Sequence, residues 1–192
     1  MKFKDNEIII EKYLNNLDKF VLDFLKILEK HSDYVIVSGY VSILFGRTRT
    51  TEDIDILVPK MNLGKFSELQ KNLKNKFWCL NSDDINEQFD MLNDELSIRF
   101  AKKDRTFPNI EFKFLKYPID FETFKKKIKV KIGKNIIFVS PIELQIVYKE
   151  KELKGFRDFE DALHLREVFK GKIKKEKLKY YEDFLRKNER QK

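Results

Sequence analysis

The sequence predicts a mixed α/β unit up to about residue 140, followed by a helical subdomain. Two observations of pattern predict it: strand-length β-branched runs alternate with segments of helical periodicity as far as Val139, and from Ser140 onward only helical periodicity is left. The third is composition. With 192 residues, 42% of them hydrophobic, and 18 Phe and 7 Tyr among them, the chain can bury one core of ordinary size, so its 38% charged residues do not make it a disordered polyelectrolyte.

Taken in order, Ile8, Ile9, Tyr13, Leu14, Leu17, Phe20, Val21, Phe24, Leu25 and Leu28 follow a 3.6-residue period, which predicts one amphipathic helix over residues 6–30. Tyr34 to Val37 is a short strand stopped by Ser38-Gly39; a helical segment runs to Phe45, Gly46 breaks it, and Ile54 to Val58 is a second strand closed by Pro59. A helix over 62–76 and a strand from Phe77 to Leu80 follow, then a short helix over 84–93. Leu96 to Ala101 and Asn109 to Leu115 read as two strands separated by a polar link with Pro108, and residues 128–132 and 136–139 as a hairpin around Gly133-Lys134-Asn135. Helices are expected over 141–149, 156–169 and 173–188, the first with Ser140 as N-cap and Pro141 at the first helical position. The expected organisation is therefore an N-terminal helix packed on the core (1–33), the α/β core (34–140) and the helical subdomain (141–192).

Lys plus Arg is 40 against 32 Asp plus Glu, a net +8 that suits an anionic partner such as a nucleotide or a nucleic acid. From Gly171 to Lys192 nine basic residues face four acidic ones, either a solvated helix face or a nucleic-acid contact. No apolar run approaches the roughly 18 to 20 residues of a membrane span. The basic N-terminus meets Glu11 and Lys12 before a signal-peptide core could form, so a cytoplasmic protein is expected. The single cysteine, Cys79, excludes an intramolecular disulfide and a thiolate zinc site and reads as a core thiol. His31 and His164 have no neighbours at metal spacing and read as helix residues, and Phe107, Phe112 and Phe114 as core.

The chemistry concentrates in residues 38–59. Asp53 and Asp55 are two apart in a strand, so both carboxylates point to one face while Ile54 and Ile56 point into the core. Two acids side by side repel each other, and a divalent metal bound by their oxygens relieves the repulsion. Upstream, a strand runs through Ser38-Gly39 into a helix, an arrangement that offers backbone N–H groups to a phosphate. Arg47, Arg49, Thr50 and Thr51 lie between the two features.

This pattern of strand, small-residue turn, helix, Gly46, Arg49, Thr51, Asp53 and Asp55 resembles the nucleotidyltransferase fold of the DNA polymerase β superfamily. It is most similar to the small prokaryotic branch, the minimal nucleotidyltransferases and abortive-infection-system toxins. Ser140, Pro141, Lys149, Arg157, Asp158 and Asp161 resemble that branch's helical motif, and the resemblance spans about residues 34–168. It implies a nucleotidyltransferase-type mixed sheet flanked by helices, with a C-terminal helical subdomain. It also implies transfer of an NMP from an NTP, ATP among them, to a hydroxyl of an RNA end, a protein side chain or a small molecule, with a toxin–antitoxin setting as one possibility.

The turn departs from the family's Gly-Gly or Gly-Ser, reading Ser38-Gly39-Tyr40, and placing Ser38 in the first glycine position keeps Tyr40 and Val41 in the helix. The superfamily's third carboxylate falls on Glu111, flanked by Ile110 and Phe112, with Asp120 as the rival after Pro118. The resemblance thus implies two Mg2+ or Mn2+ ions on Asp53, Asp55 and Glu111, with Glu111 nearest the acceptor hydroxyl. Phosphates would meet Ser38, Gly39, Arg49, Thr51 and Lys149. Arg49 would otherwise pair with Glu52 or cap a turn, and Asp158 and Asp161 would otherwise lock the subdomain to Arg157 or to the sheet. A non-catalytic nucleotide- or protein-binding module is the alternative from another class, and a plain RNA-binding domain a third.

Overall fold

Three consecutive isoleucines, Ile8 to Ile10, decide how the chain begins. β-branched side chains favour a pleated strand over a helix, and here that preference prevails over the helical periodicity read across residues 6–30. In the computed structural model, which describes residues 1–4, 7–153 and 155–188, Lys2–Lys4 (β1) and Glu7–Ile10 (β2) form an antiparallel pair at one sheet edge. Residue 6, where the expected helix would start, lies outside the described residues. The helix that does form is Asn16–Leu28 (α1). It begins where Asn15 and Asp18 make a reciprocal capping box: Asp18 N–H donates to Asn15 Oδ1 at 2.8 Å and Asn15 N–H to Asp18 Oδ2 at 3.0 Å.

Beyond that correction the chain follows the expected order. It runs through Val35–Ile36 (β3), Gly39–Leu44 (α2), Asp53–Val58 (β4), Leu63–Leu73 (α3), Phe77–Cys79 (β5), Ile85–Asn93 (α4), Ile98–Lys102 (β6) and Asn109–Phe114 (β7). Next comes Pro118–Lys125 (α5), then Ile128–Ile132 (β8) and Asn135–Val139 (β9). The last elements are Ile142–Tyr148 (α6), a π-helical turn over Lys149–Leu153, Phe156–Val168 (α7) and Lys175–Asn188 (α8). Helix α5, like β1, β2 and the π-helical turn, is an element the pattern did not predict. Pro118 at its first turn and Asp120 accepting from the Lys116 and Tyr117 N–H groups at 3.0 and 2.9 Å start it locally, without an apolar stripe. The start of α6 is also shifted by one residue: Pro141 is the N-cap, and Ser140 instead donates its N–H to Ile36 O at 2.9 Å.

Among the described residues the strands form one mixed sheet in the order β1-β2-β8-β9-β3-β4-β7-β6-β5. At its centre β4 is antiparallel to β3 and parallel to β7, with Ile54 opposite Ile110 and Ile56 opposite Phe112, all four fully buried. On that face α1 lays Phe20 and Phe24 against Phe77, and Phe24 against Phe100, with ring centroids 5.3 to 5.8 Å apart. Cys79 is buried, as are Phe112 and Phe114, whereas Phe107 departs from the expected core position and stands 57% exposed on the link before β7. Helices α7 and α8 each pack on α6, and a second small cluster of Ile119, Leu144, Val147, Tyr181 and Leu185 fastens α8 to α5 and α6. The lysine-rich C-terminal helix is thus anchored by two apolar side chains beneath a solvated face. No helix among the described residues is long and apolar enough to cross a membrane.

Candidate active site

Pleat alternation builds the site. Parallel pairing sets Asp53 opposite Asn109 and Asp55 opposite Glu111, and partners in a ladder project to the same side, away from the buried Ile54, Ile110 and Phe112. The register therefore brings Glu111 beside Asp55, on the face that Asp53 shares. Asp120 is elsewhere employed, its carboxylate closing the first turn of α5, although it borders the same cleft. Thr51 steadies Asp53 by donating its hydroxyl to the Asp53 carbonyl at 3.0 Å and to Oδ1 at 3.3 Å.

Between Asp55 and Glu111 stands an ammonium. Lys113 Nζ lies 3.1 Å from Asp55 Oδ1 and 3.1 Å from Glu111 Oε1, while Ser97 donates its hydroxyl to Glu111 Oε1 at 2.7 Å and Arg99 approaches it to 3.6 Å. Burial pushes the Asp55 carboxyl above its ordinary value; Lys113 opposes the rise and the neighbouring Glu111 charge adds to it. Burial also acts on Glu111, but the Ser97 hydroxyl and the Lys113 and Arg99 charges outweigh it and hold that carboxyl below its ordinary value. Burial likewise disfavours the charged Lys113, and the Asp55 and Glu111 charges more than offset it, so Lys113 stays protonated. Among the described residues no three His, Cys, Asp or Glu side chains converge as a ready metal cage.

Asp55 and Lys113 border a cleft of about 260 Å³ between the sheet and the C-terminal helices, walled also by Ser38, Tyr117, Gln145 and Tyr148. Ser38 carries φ 63° and ψ −138°, a conformation that glycine adopts freely and serine does not. Tyr40 lies inside α2, its hydroxyl donated to Asp18 at 2.9 Å.

Arg49 and Lys149 are placed differently from the phosphate-binding expectation. Arg49 grips the fully buried Asp161 with a two-pronged fork, Nε to Oδ1 and Nη2 to Oδ2, both at 3.0 Å. Lys149, 1% exposed at the start of the π-helical turn, donates to Asp161 Oδ2 at 3.0 Å and to Asp158 Oδ1 at 2.9 Å. Arg47 completes the cluster with Glu160 at 2.7 Å and Asp161 at 3.5 Å. Asp158 and Asp161 thus tie α7 to the loop before β4 and to Lys149, with neither Arg157 nor Glu52 involved. Gly39 makes room for the fork, since a Cβ there would fall 2.1 Å from Arg49 Nη2.

Sequence reading left unremarked Asn109, whose buried Oδ1 has no partner among the described residues, and Ser97 and Arg99, which reach Glu111 across the β6–β7 pairing. The period-2 alternation that selected Glu111 also contained Asn109 and Lys113, and it places all three on the site face.

No family model matches the sequence, and no curated protein matches it. Among solved structures, the chain is similar to an antigenic nucleotidyltransferase-like protein from Paracoccidioides brasiliensis, with a TM-score of 0.52 and 13% identity over 90% of this chain and 88% of that one. The chain has a nucleotidyltransferase-like fold, a large mixed sheet flanked by helices.

Proposed function

We propose that the protein is a metal-dependent nucleotidyltransferase that moves an NMP from an NTP to a hydroxyl acceptor and releases pyrophosphate. The observation that carries the reading is the register of β4 with β7, which sets Asp53, Asp55 and Glu111 on one strand face, with Asp55 lining the cleft that Ser38 also borders. The donor chemistry, three carboxylates with Asn109 Oδ1 on the same strand face, is that of a hard divalent cation such as Mg2+ or Mn2+, which would have to draw together carboxylates that do not converge as they stand. Asp53, Asp55 and Glu111 would hold the metal, which when bound neutralises charge that builds on the phosphoryl oxygens. Thr51 keeps Asp53 in its rotamer, and Ser97 keeps Glu111 in its own. Glu111 is held ionised at neutral pH by its neighbours and so is available to accept the proton of an acceptor hydroxyl. Ser38 meets the triphosphate from the cleft wall, and the net charge of +8 favours an RNA end over a protein side chain or a small molecule as acceptor.

The test is incubation with each α-labelled NTP, Mg2+ or Mn2+, and total RNA or lysate, followed by the destination of the label. Wild type should transfer label and gain thermal stability from metal plus NTP, because a ligand bound only to the folded state stabilises it. Asp53→Asn/Asp55→Asn should do neither, and an unchanged metal-dependent shift in that variant would move the site elsewhere.

A second reading, a catalytically silent nucleotidyltransferase-like binding module, has its own observation in Lys113, whose ammonium already pairs with both Asp55 and Glu111. It predicts ligand binding without transfer of label to any acceptor under either metal.

A further inference from the structure

Asp55 and Glu111 face each other across a strand pairing with like charge, a repulsion that a cation between them relieves. In this protein the cation is a side chain. Lys113 follows Glu111 by two positions, so the pleat itself delivers its ammonium to within 3.1 Å of one oxygen of each carboxylate. The Lys113 side chain is 36% exposed, against 16% for Asp55 and 13% for Glu111, so it is the member of the trio that can swing away without disturbing the core. It also borders the cleft in company with Ser38, so a swing outward keeps the ammonium where an anionic ligand would lie. Asn109 Oδ1, buried on the same strand face without a partner among the described residues, is a further oxygen donor that the ammonium leaves unused.

We propose that Lys113 is the resident cation of the Asp55–Glu111 pair, that a divalent metal ion competes with it for those carboxylates, and that the displaced ammonium pairs with the triphosphate in the same cleft. The proposal rests on the nucleotidyltransferase reading and adds a rule for loading the site. Metal alone must evict a bound cation and leave it unpaired. Metal arriving with a triphosphate supplies that cation with a new anion, so the two ligands bind cooperatively through Lys113.

The experiment is titration of Mn2+ into the full chain, with free Mn2+ followed by its EPR signal, first without nucleotide and then with an NTP whose α–β bridge resists hydrolysis. Without nucleotide, Lys113→Met should bind Mn2+ at least about tenfold tighter than wild type, a modest share of what close charge pairs are worth. Lys113→Arg, which restores a cation, should return to the wild-type value, a rescue that a merely structural lysine would not show in metal affinity. The nucleotide should tighten Mn2+ binding in wild type and add little in Lys113→Met. Lys113→Gln is the second variant in case the methionine leaves the two acids too poorly compensated to fold, and it should show the same direction. Equal or weaker Mn2+ binding by the cation-free variants overturns the proposal while leaving nucleotidyl transfer standing. Absence of Mn2+ binding by wild type and variants alike, with nucleotide present, overturns both.

Discussion

Asp161→Asn removes the negative charge on which Arg49, Lys149 and Arg47 converge while keeping the side chain's shape. In the native protein Asp161 is fully buried and accepts three charged hydrogen bonds at 3.0 Å. Breaking a buried ion pair from one side costs about 3 to 5 kcal/mol, because the remaining charge stays buried without its partner. The lower end applies here. Lys149 keeps Asp158, whose side chain is 27% exposed, and the asparagine oxygen can still accept one bond. A loss of about 3 kcal/mol corresponds to a fall of roughly 6 to 12 °C in melting temperature for a domain of this length. Thermal and urea unfolding followed by circular dichroism would measure it. Lys149→Met should cost less, since Arg49 and Arg47 still neutralise Asp161. A melting temperature for Asp161→Asn within roughly 2 °C of wild type, or the reverse order of the two variants, would refute the assignment of Asp161 as the hub. The first of these results, together with stronger nucleotide binding, would return Arg49 and Lys149 to the phosphates.

Ser38→Gly relieves a left-handed backbone strained for serine and should stabilise the fold by about 1 kcal/mol in urea unfolding; a destabilisation would mean that the Ser38 hydroxyl contributes more than the strain costs. Gly39→Ala should cost about 1 to 3 kcal/mol, because its methyl group would displace a guanidinium that Asp161 pins in place, and a neutral result would show the fork to be adjustable. Glu111→Gln should reduce nucleotidyl transfer at least about a hundredfold while sparing NTP binding. Asp120→Asn should instead lose about 1 kcal/mol of stability through its role at the start of α5, with transfer nearly unchanged; the opposite split in label transfer would reassign the third carboxylate.

Much of this protein is legible in local sequence because the signals are local. The alternation of Asp53 and Asp55 with Ile54 and Ile56 names a strand with one polar and one buried face, and the Ile110, Phe112 and Phe114 alternation does the same for the strand bearing Glu111. Ser38 and Gly39 mark a turn into a helix with no help from distant residues. Where the reading failed, two local signals competed and a distant partner chose between them. Residues 7–10 satisfy a helical period as well as a strand, and the exposed backbone edge of β8, more than a hundred positions away, pairs with them as a strand. Charge identifies Arg49 and Lys149 as cations in want of an anion, but whether that anion is a phosphate or a carboxylate depends on what the fold brings within 3 Å. In this structure α7 brings Asp161. The same holds for Lys113: its position two residues after Glu111 gives its face, and only the parallel register with β4 sets Asp55 beside it. Pleat and turn act over a few bonds and can be read along the chain. Pairing of charges acts through space, and tertiary structure alone sets those distances.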